Sequence, residues 1–104
     1  MSTGPEAPIE NKVVDWAKRN GWYTLKINGM GKKGFPDHFF FASPRLLVMI
    51  EFKAPGRKPK PIQLYIHKIL RALQWPVYVV DNVQQGIEIL QDEKAAALKS
   101  SKGE

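Results

Sequence analysis

The sequence predicts a mixed α/β layer fold, a β-sheet flanked by helices with the element order αβββαβα. Three observations predict it. Apolar residues recur at helical spacing from Ile9 to Asn20 and again from Pro61 to about Leu73. Leu46 to Phe52 is apolar at every position except Glu51, the pattern of a strand buried on both faces. Short apolar runs before and after these segments supply the remaining strands. A chain of 104 residues supports one hydrophobic core, and no internal repeat or second domain is visible. Residues 1–8 read as a flexible arm, 9–91 as the folded domain, and 92–104 as a helix extension with a flexible tail.

Met1 to Pro8 holds two prolines and no periodic pattern, hence the arm. The first helix presents Ile9, Val13, Trp16 and Ala17 on one face, and Gly21 stands where a left-handed cap ends it. Trp22 to Ile27 reads as a strand, followed by a glycine- and lysine-rich loop from Asn28 to Gly34. Pro36-Asp37 opens an apolar segment, His38 to Ala42, and Ser43-Pro44-Arg45 makes a turn into Leu46 to Phe52, so the two segments form a hairpin. Ala54 to Pro61 contains three prolines, one glycine and three basic residues and is a loop. Pro61 suits the first position of a helix, where its missing N–H is not needed. That helix is expected to bury Ile62, Tyr65, Ile66, Ile69 and Leu73. Val77 to Val80 is a short buried strand, and Asn82 caps a last helix with Val83, Ile87 and Leu90 on one face. From Lys94 onward that helix is expected to extend briefly and fray.

Composition excludes several classes. Without cysteine there is no disulfide scaffold, thiolate zinc site or cysteine nucleophile, and the two histidines, His38 and His67, are too few for a histidine-rich metal site. No apolar run reaches the ~18 residues of a membrane helix, and the first 25 residues hold no signal-peptide core. The net charge of +6 is unevenly spread. Residues 1–25 are neutral, residues 26–71 carry ten basic side chains against only Asp37 and Glu51, and residues 72–104 are net acidic. A basic middle on a small domain suits a polyanion, since neutralised phosphates release counterions.

The informative constellation is Pro36-Asp37 followed, thirteen residues on, by Glu51-Phe52-Lys53. Alternation along a strand sends Glu51 and Lys53 to one side and Phe52 to the other. A carboxylate and an ammonium at the end of an apolar strand are costly to desolvate unless paired or bound to metal. Pairing across the turn brings Asp37 toward Glu51. Two neighbouring carboxylates repel, and a divalent cation relieves the repulsion. Hard oxygen ligands favour Mg²⁺ or Mn²⁺ over Zn²⁺.

These residues resemble the PD-(D/E)xK nuclease superfamily, and within it the VRR-NUC (virus-type replication–repair nuclease) family. The resemblance spans roughly residues 9–91 and rests on Gly34-Phe-Pro-Asp37, Glu51-Phe-Lys53, Lys53-Ala-Pro-Gly56 followed by Gln63, and a helical glutamate, Glu10. Lys60 departs from it, standing where the family often has a serine or threonine at the helix start. The resemblance implies a restriction-endonuclease-like sheet and a metal-dependent phosphodiester hydrolase acting on DNA. It implies that Asp37, Glu51 and the Phe52 backbone carbonyl bind Mg²⁺ or Mn²⁺, and that Lys53 orients the attacking water and stabilises charge on the phosphate. By the same resemblance Gln63 supports the water or Lys53, and Glu10 completes the site from the first helix. Single-domain members resemble homodimeric resolvases of four-way (Holliday) junctions acting in the cytoplasm of a bacterial or phage-infected cell.

Plainer readings stand beside these. Glu51 and Lys53 also fit an edge-strand salt bridge, Asp37 a turn residue, Gln63 a solvated first-turn residue, and Glu10 a first-turn acid favoured by the helix dipole. His38 and His67 read as structural or exposed; Trp16, Trp22 and Trp75 read as core or interface. Lys32, Lys33, Arg57, Lys58 and Lys60 lie in two loops flanking the constellation, where backbone-phosphate contacts are expected in place of a merely solvated charge run. Two other functional classes also fit: an inactive DNA-binding module, and a nuclease subunit whose specificity resides in a partner protein.

Overall fold

In the computed structural model, which describes residues 4–27 and 33–102, the elements are α1 (Ala7–Arg19), β1 (Tyr23–Lys26), β2 (His38–Ala42), β3 (Leu46–Phe52), α2 (Pro61–Ala72), β4 (Val77–Val80) and α3 (Val83–Lys102). The order αβββαβα is the expected one. Helix α1 starts at Ala7, before the apolar period begins, because Pro8 falls in its first turn and forfeits no hydrogen bond there. At its other end the Trp22 N–H donates to the Ala17 carbonyl across Gly21, whose φ of +85° is the left-handed conformation expected of a cap. Helix α3 runs on to Lys102 where fraying was expected, consistent with the high helix propensity of Ala95-Ala96-Ala97-Leu98.

The four strands lie in the order β1-β2-β3-β4. β1–β2 and β2–β3 are antiparallel, the latter pairing His38 with Ile50 and Ala42 with Leu46, so residues 43–45 close the hairpin. β4 runs parallel to β3, which requires the crossover that α2 supplies. The alternation of side chains along these strands then defines two different faces. Val48, Ile50 and Phe52 of β3 pack with Phe40 of β2, and against Val13 and Ala17 of α1 and Leu90 of α3. Met49 of β3 and Val77 of β4 pack on the opposite face against Ile66 and Leu70 of α2. Gly86 permits the close crossing of α1 and α3: a Cβ there would sit 2.8 Å from Val13 Cγ2.

One expectation is corrected. Of the α2 residues read as buried, only Ile66 is; Ile62, Tyr65, Ile69 and Leu73 are 46%, 61%, 40% and 65% exposed. The reason is geometric. Two helices cover one face of the sheet, whereas α2 alone lies over β3 and β4 on the other. Tyr23 and Leu25 of β1, on that same face, are exposed too. The apolar stripe of α2 is therefore wider than the sheet surface the described residues offer it.

Gly34 fixes the approach to β2. Its φ is +92°, and a Cβ would lie 2.7 Å from the Ile62 carbonyl oxygen and 2.9 Å from Ile66 Cγ1. The turn leading to Asp37 thus rests directly on the start of α2. Gly34→Ala is expected to cost about 2 kcal/mol or more through combined strain and overpacking, read as a fall in melting temperature of roughly 10 °C. An unchanged melting temperature would contradict this packing.

Candidate active site

The β2–β3 register, continued one step past His38–Ile50, places Asp37 opposite Glu51. There the ladder opens. The Phe52 N–H, which would otherwise seek a backbone carbonyl, donates to Asp37 Oδ2 at 2.8 Å, and the Asp37 carbonyl accepts from the Ile27 N–H at 2.7 Å. Asp37 is held on both sides, with its carboxylate across from that of Glu51 at the splayed end of the strands.

Glu51 is only 1% exposed. Its Oε2 accepts a hydrogen bond from Gln63 Nε2 at 3.0 Å and lies 3.6 Å from Lys53 Nζ. Strand alternation accounts for Lys53, and the first turn of α2 for Gln63. Gln63 also explains how a helix can start at Lys60 without a serine or threonine: its Oε1 accepts the Lys60 N–H at 2.7 Å. That bond fixes the amide's orientation, so its NH₂ group faces Glu51. One residue both starts α2 and ties it to the carboxylate. On the other carboxylate oxygen, Oε1, no described residue makes a hydrogen bond, and His67 Nε2 stands 3.7 Å away.

The electrostatics follow from the burial of two like charges. Desolvation first, and then the Glu51 carboxylate, push Asp37 up from its ordinary 3.8 to about 7, against the opposing Phe52 N–H and the Lys26 charge. Among the described residues no group of three or more His, Cys, Asp or Glu surrounds a common point. The site offers two carboxylates, one with an oxygen that is buried and unsatisfied. Hard oxygen donors with uncompensated repulsion fit a small divalent cation, completed by backbone carbonyl and water.

Glu10 lies elsewhere. It is fully buried on the face of the sheet covered by α1 and α3, where Lys26 Nζ reaches its Oε2 at 2.7 Å and His38 Nδ1 donates to the same oxygen at 2.8 Å. The register places Lys26 opposite His38, which is why both meet one helical carboxylate. The structure therefore brings Asp37, Glu51, Lys53 and Gln63 together directly, and connects Glu10 to them through Lys26. Lys53, Arg57, Lys58 and Lys60 line a cleft of about 370 Å³ with Pro5, Glu6 and Ala54. Its loop is anchored by the Gly56 N–H, which donates to Asp81 Oδ2 at 3.2 Å. Lys33 is exposed in the turn before β2, and Lys32 lies outside the described residues. Lys26, His38 and His67 escaped the sequence reading as site neighbours, and both histidines are buried against carboxylates. The signal for His67 was its spacing, one helical turn after Gln63.

No family model matches the chain. Over 77 residues, 74% of its length, the chain is 35% identical to a protein named "Putative nuclease p44" from Acyrthosiphon pisum secondary endosymbiont phage 1, spanning 83% of that protein. Its fold is similar to that of two solved structures. One, described as a VRR_NUC domain, superposes with a TM-score of 0.76 at 22% identity, over 86% of this chain and 97% of the other. The second, a VRR_NUC domain protein, gives 0.71 at 19% identity, over 88% and 89%.

The raised pKa of Asp37 has a consequence for stability. Between pH 3.8 and about 7 the folded chain keeps a proton on Asp37 that the unfolded chain releases. The contribution is fully present below 3.8 and is lost as pH rises to about 7. Metal-free protein should lose about 1–2 kcal/mol across this window, discounted for partial exposure, and Asp37→Asn should remove that slope. Chemical denaturation at a series of pH values checks both; a wild-type slope that survives Asp37→Asn would assign it to another group.

Proposed function

Because the chain belongs to the VRR-NUC family of nucleases, we propose that it is a metal-dependent, structure-selective DNA endonuclease, working as a homodimeric resolvase of four-way junctions. The observation that carries the chemistry is the pairing of Asp37 with a buried Glu51 that already holds Lys53 and Gln63 on its other oxygen. Asp37, Glu51 and the Phe52 carbonyl would hold Mg²⁺ or Mn²⁺. The Phe52 carbonyl suits this because a strand residue's N–H and C=O point to the same side, and its N–H points at Asp37. The ion, when bound, activates water and screens the phosphate as charge builds.

Lys53 orients the attacking water and stabilises the negative charge developing on the phosphate oxygens. The water oxygen forms the new P–O bond and gives up a proton as the bond to the leaving sugar oxygen breaks, and that oxygen takes up a proton from solvent. Gln63 donates to Glu51 Oε2 and ties the carboxylate to the start of α2. Glu10 acts at one remove, keeping the Lys26 charge beside Asp37. Lys32, Lys33, Arg57, Lys58 and Lys60 contact DNA phosphates on either side of the cut. Exposed Tyr23, Leu25, Ile62, Tyr65, Ile69 and Leu73 form an apolar surface suited to a second copy. Two sites related by a two-fold axis suit a junction with the same symmetry.

Two experiments test this reading. A labelled four-way junction, Y-fork, linear duplex and single strand, each with Mg²⁺, Mn²⁺ or EDTA, should show metal-dependent nicking of the junction that Lys53→Ala lowers by about 100-fold or more. Equal cutting of all substrates would keep the nuclease and discard the resolvase. DNA binding with no cutting would favour an inactive module or a partner-dependent subunit. In light scattering after gel filtration, wild type should be a dimer and Ile69→Glu a monomer; a monomeric wild type would overturn the dimer.

A further inference from the structure

His67 is a buried side chain that the proposed chemistry does not use. It is fully buried on α2, yet neither ring nitrogen has a hydrogen-bond partner among the described residues. Burying an imidazole with both nitrogens unsatisfied is costly, and such groups in folded proteins call for a physical reason. The reason lies opposite it. His67 Nε2 stands 3.7 Å from Glu51 Oε1, which is itself buried and without a hydrogen bond. Two orphaned polar atoms of complementary chemistry face each other across a gap that a shift of about 1 Å closes to hydrogen-bond length.

The other oxygen of the same carboxylate is already held by Gln63, one helical turn before His67 on the same helix. Gln63 alone leaves the carboxylate free to rotate about its bond to Nε2. A second donor on Oε1 would remove that freedom and let two α2 side chains hold Glu51 at both oxygens. From this geometry we infer that His67 is a positioning residue: its Nε2–H orients Glu51 for a divalent cation shared with Asp37. The inference rests on the metal-dependent reading above and adds to it a residue that touches neither substrate nor metal. Carboxylate ligands held by such outer hydrogen bonds lose about 10–100-fold in metal affinity when the bond is removed.

The test is Mn²⁺ binding by calorimetry, in the absence of DNA, with wild type, His67→Gln, His67→Asn and His67→Leu. Glutamine places an amide NH₂ near the position of Nε2, whereas asparagine falls a methylene short. The expected result is that His67→Leu folds with a melting temperature no lower than wild type and binds Mn²⁺ 10–100-fold more weakly, while His67→Gln stays within a few-fold of wild type. A leucine variant that binds Mn²⁺ like wild type would overturn the inference and leave the metal reading standing. Wild type that takes up no Mn²⁺, or an Asp37→Asn variant that binds it unchanged, would overturn the metal reading and the inference with it. Should the leucine variant not fold, the amide pair decides: equal affinity in His67→Gln and His67→Asn would refute a role for the Nε2 position.

Discussion

The structure turns on two carboxylates placed where neither is comfortable. Asp37 and Glu51 end up side by side because the β2–β3 register continues one residue past its last ladder pair, and burial then raises the cost of charging both. An ordinary fold would separate such groups or give one of them a cationic partner at full contact. Here Lys53 remains at 3.6 Å and Lys26 is engaged by Glu10. In the metal-free chain a proton kept on Asp37 up to about pH 7 relieves the repulsion, and a divalent cation can take the place of that proton.

Much of the surrounding architecture holds that arrangement in place. The Phe52 N–H fixes one oxygen of Asp37, the close seat of Gly34 on α2 fixes its turn, and Gln63 couples the start of α2 to Glu51. Lys53, Gln63 and His67 all sit on the α2 side of the sheet, while Glu10 and His38 lie on the other. α2 is thus a clamp for the site on its inner face. Its outer face, apolar and exposed, has no counterpart among the described residues. The same helix connects the proposed chemistry to the proposed dimer surface.

Most of the fold was legible because its signals are local. The strands His38–Ala42, Leu46–Phe52 and Val77–Val80 announced themselves as apolar runs bounded by turns, and Gly21 and Pro61 act as the expected helix end and start. The pairing of Asp37 with Glu51 was also within reach, since a three-residue turn leaves little choice of register. What the sequence could not convey is which surface an apolar stripe meets. Ile62, Tyr65, Ile69 and Leu73 have a helical period, but a period does not reveal whether the chain has sheet enough to cover them. The partners of Glu10 were hidden for a related reason. Lys26 and His38 meet it only through a cross-strand pair and a helix packed from another layer, neither of which leaves a mark in the spacing of residues.

The central claim is that Asp37 and Glu51 together hold one divalent cation. Anomalous diffraction from crystals soaked in Mn²⁺ addresses it most directly. The expected result is a single strong anomalous peak between the two carboxylates and near the Phe52 carbonyl, absent from crystals of Asp37→Asn. A peak confined to other residues, or none at Mn²⁺ concentrations that support cleavage, would contradict it.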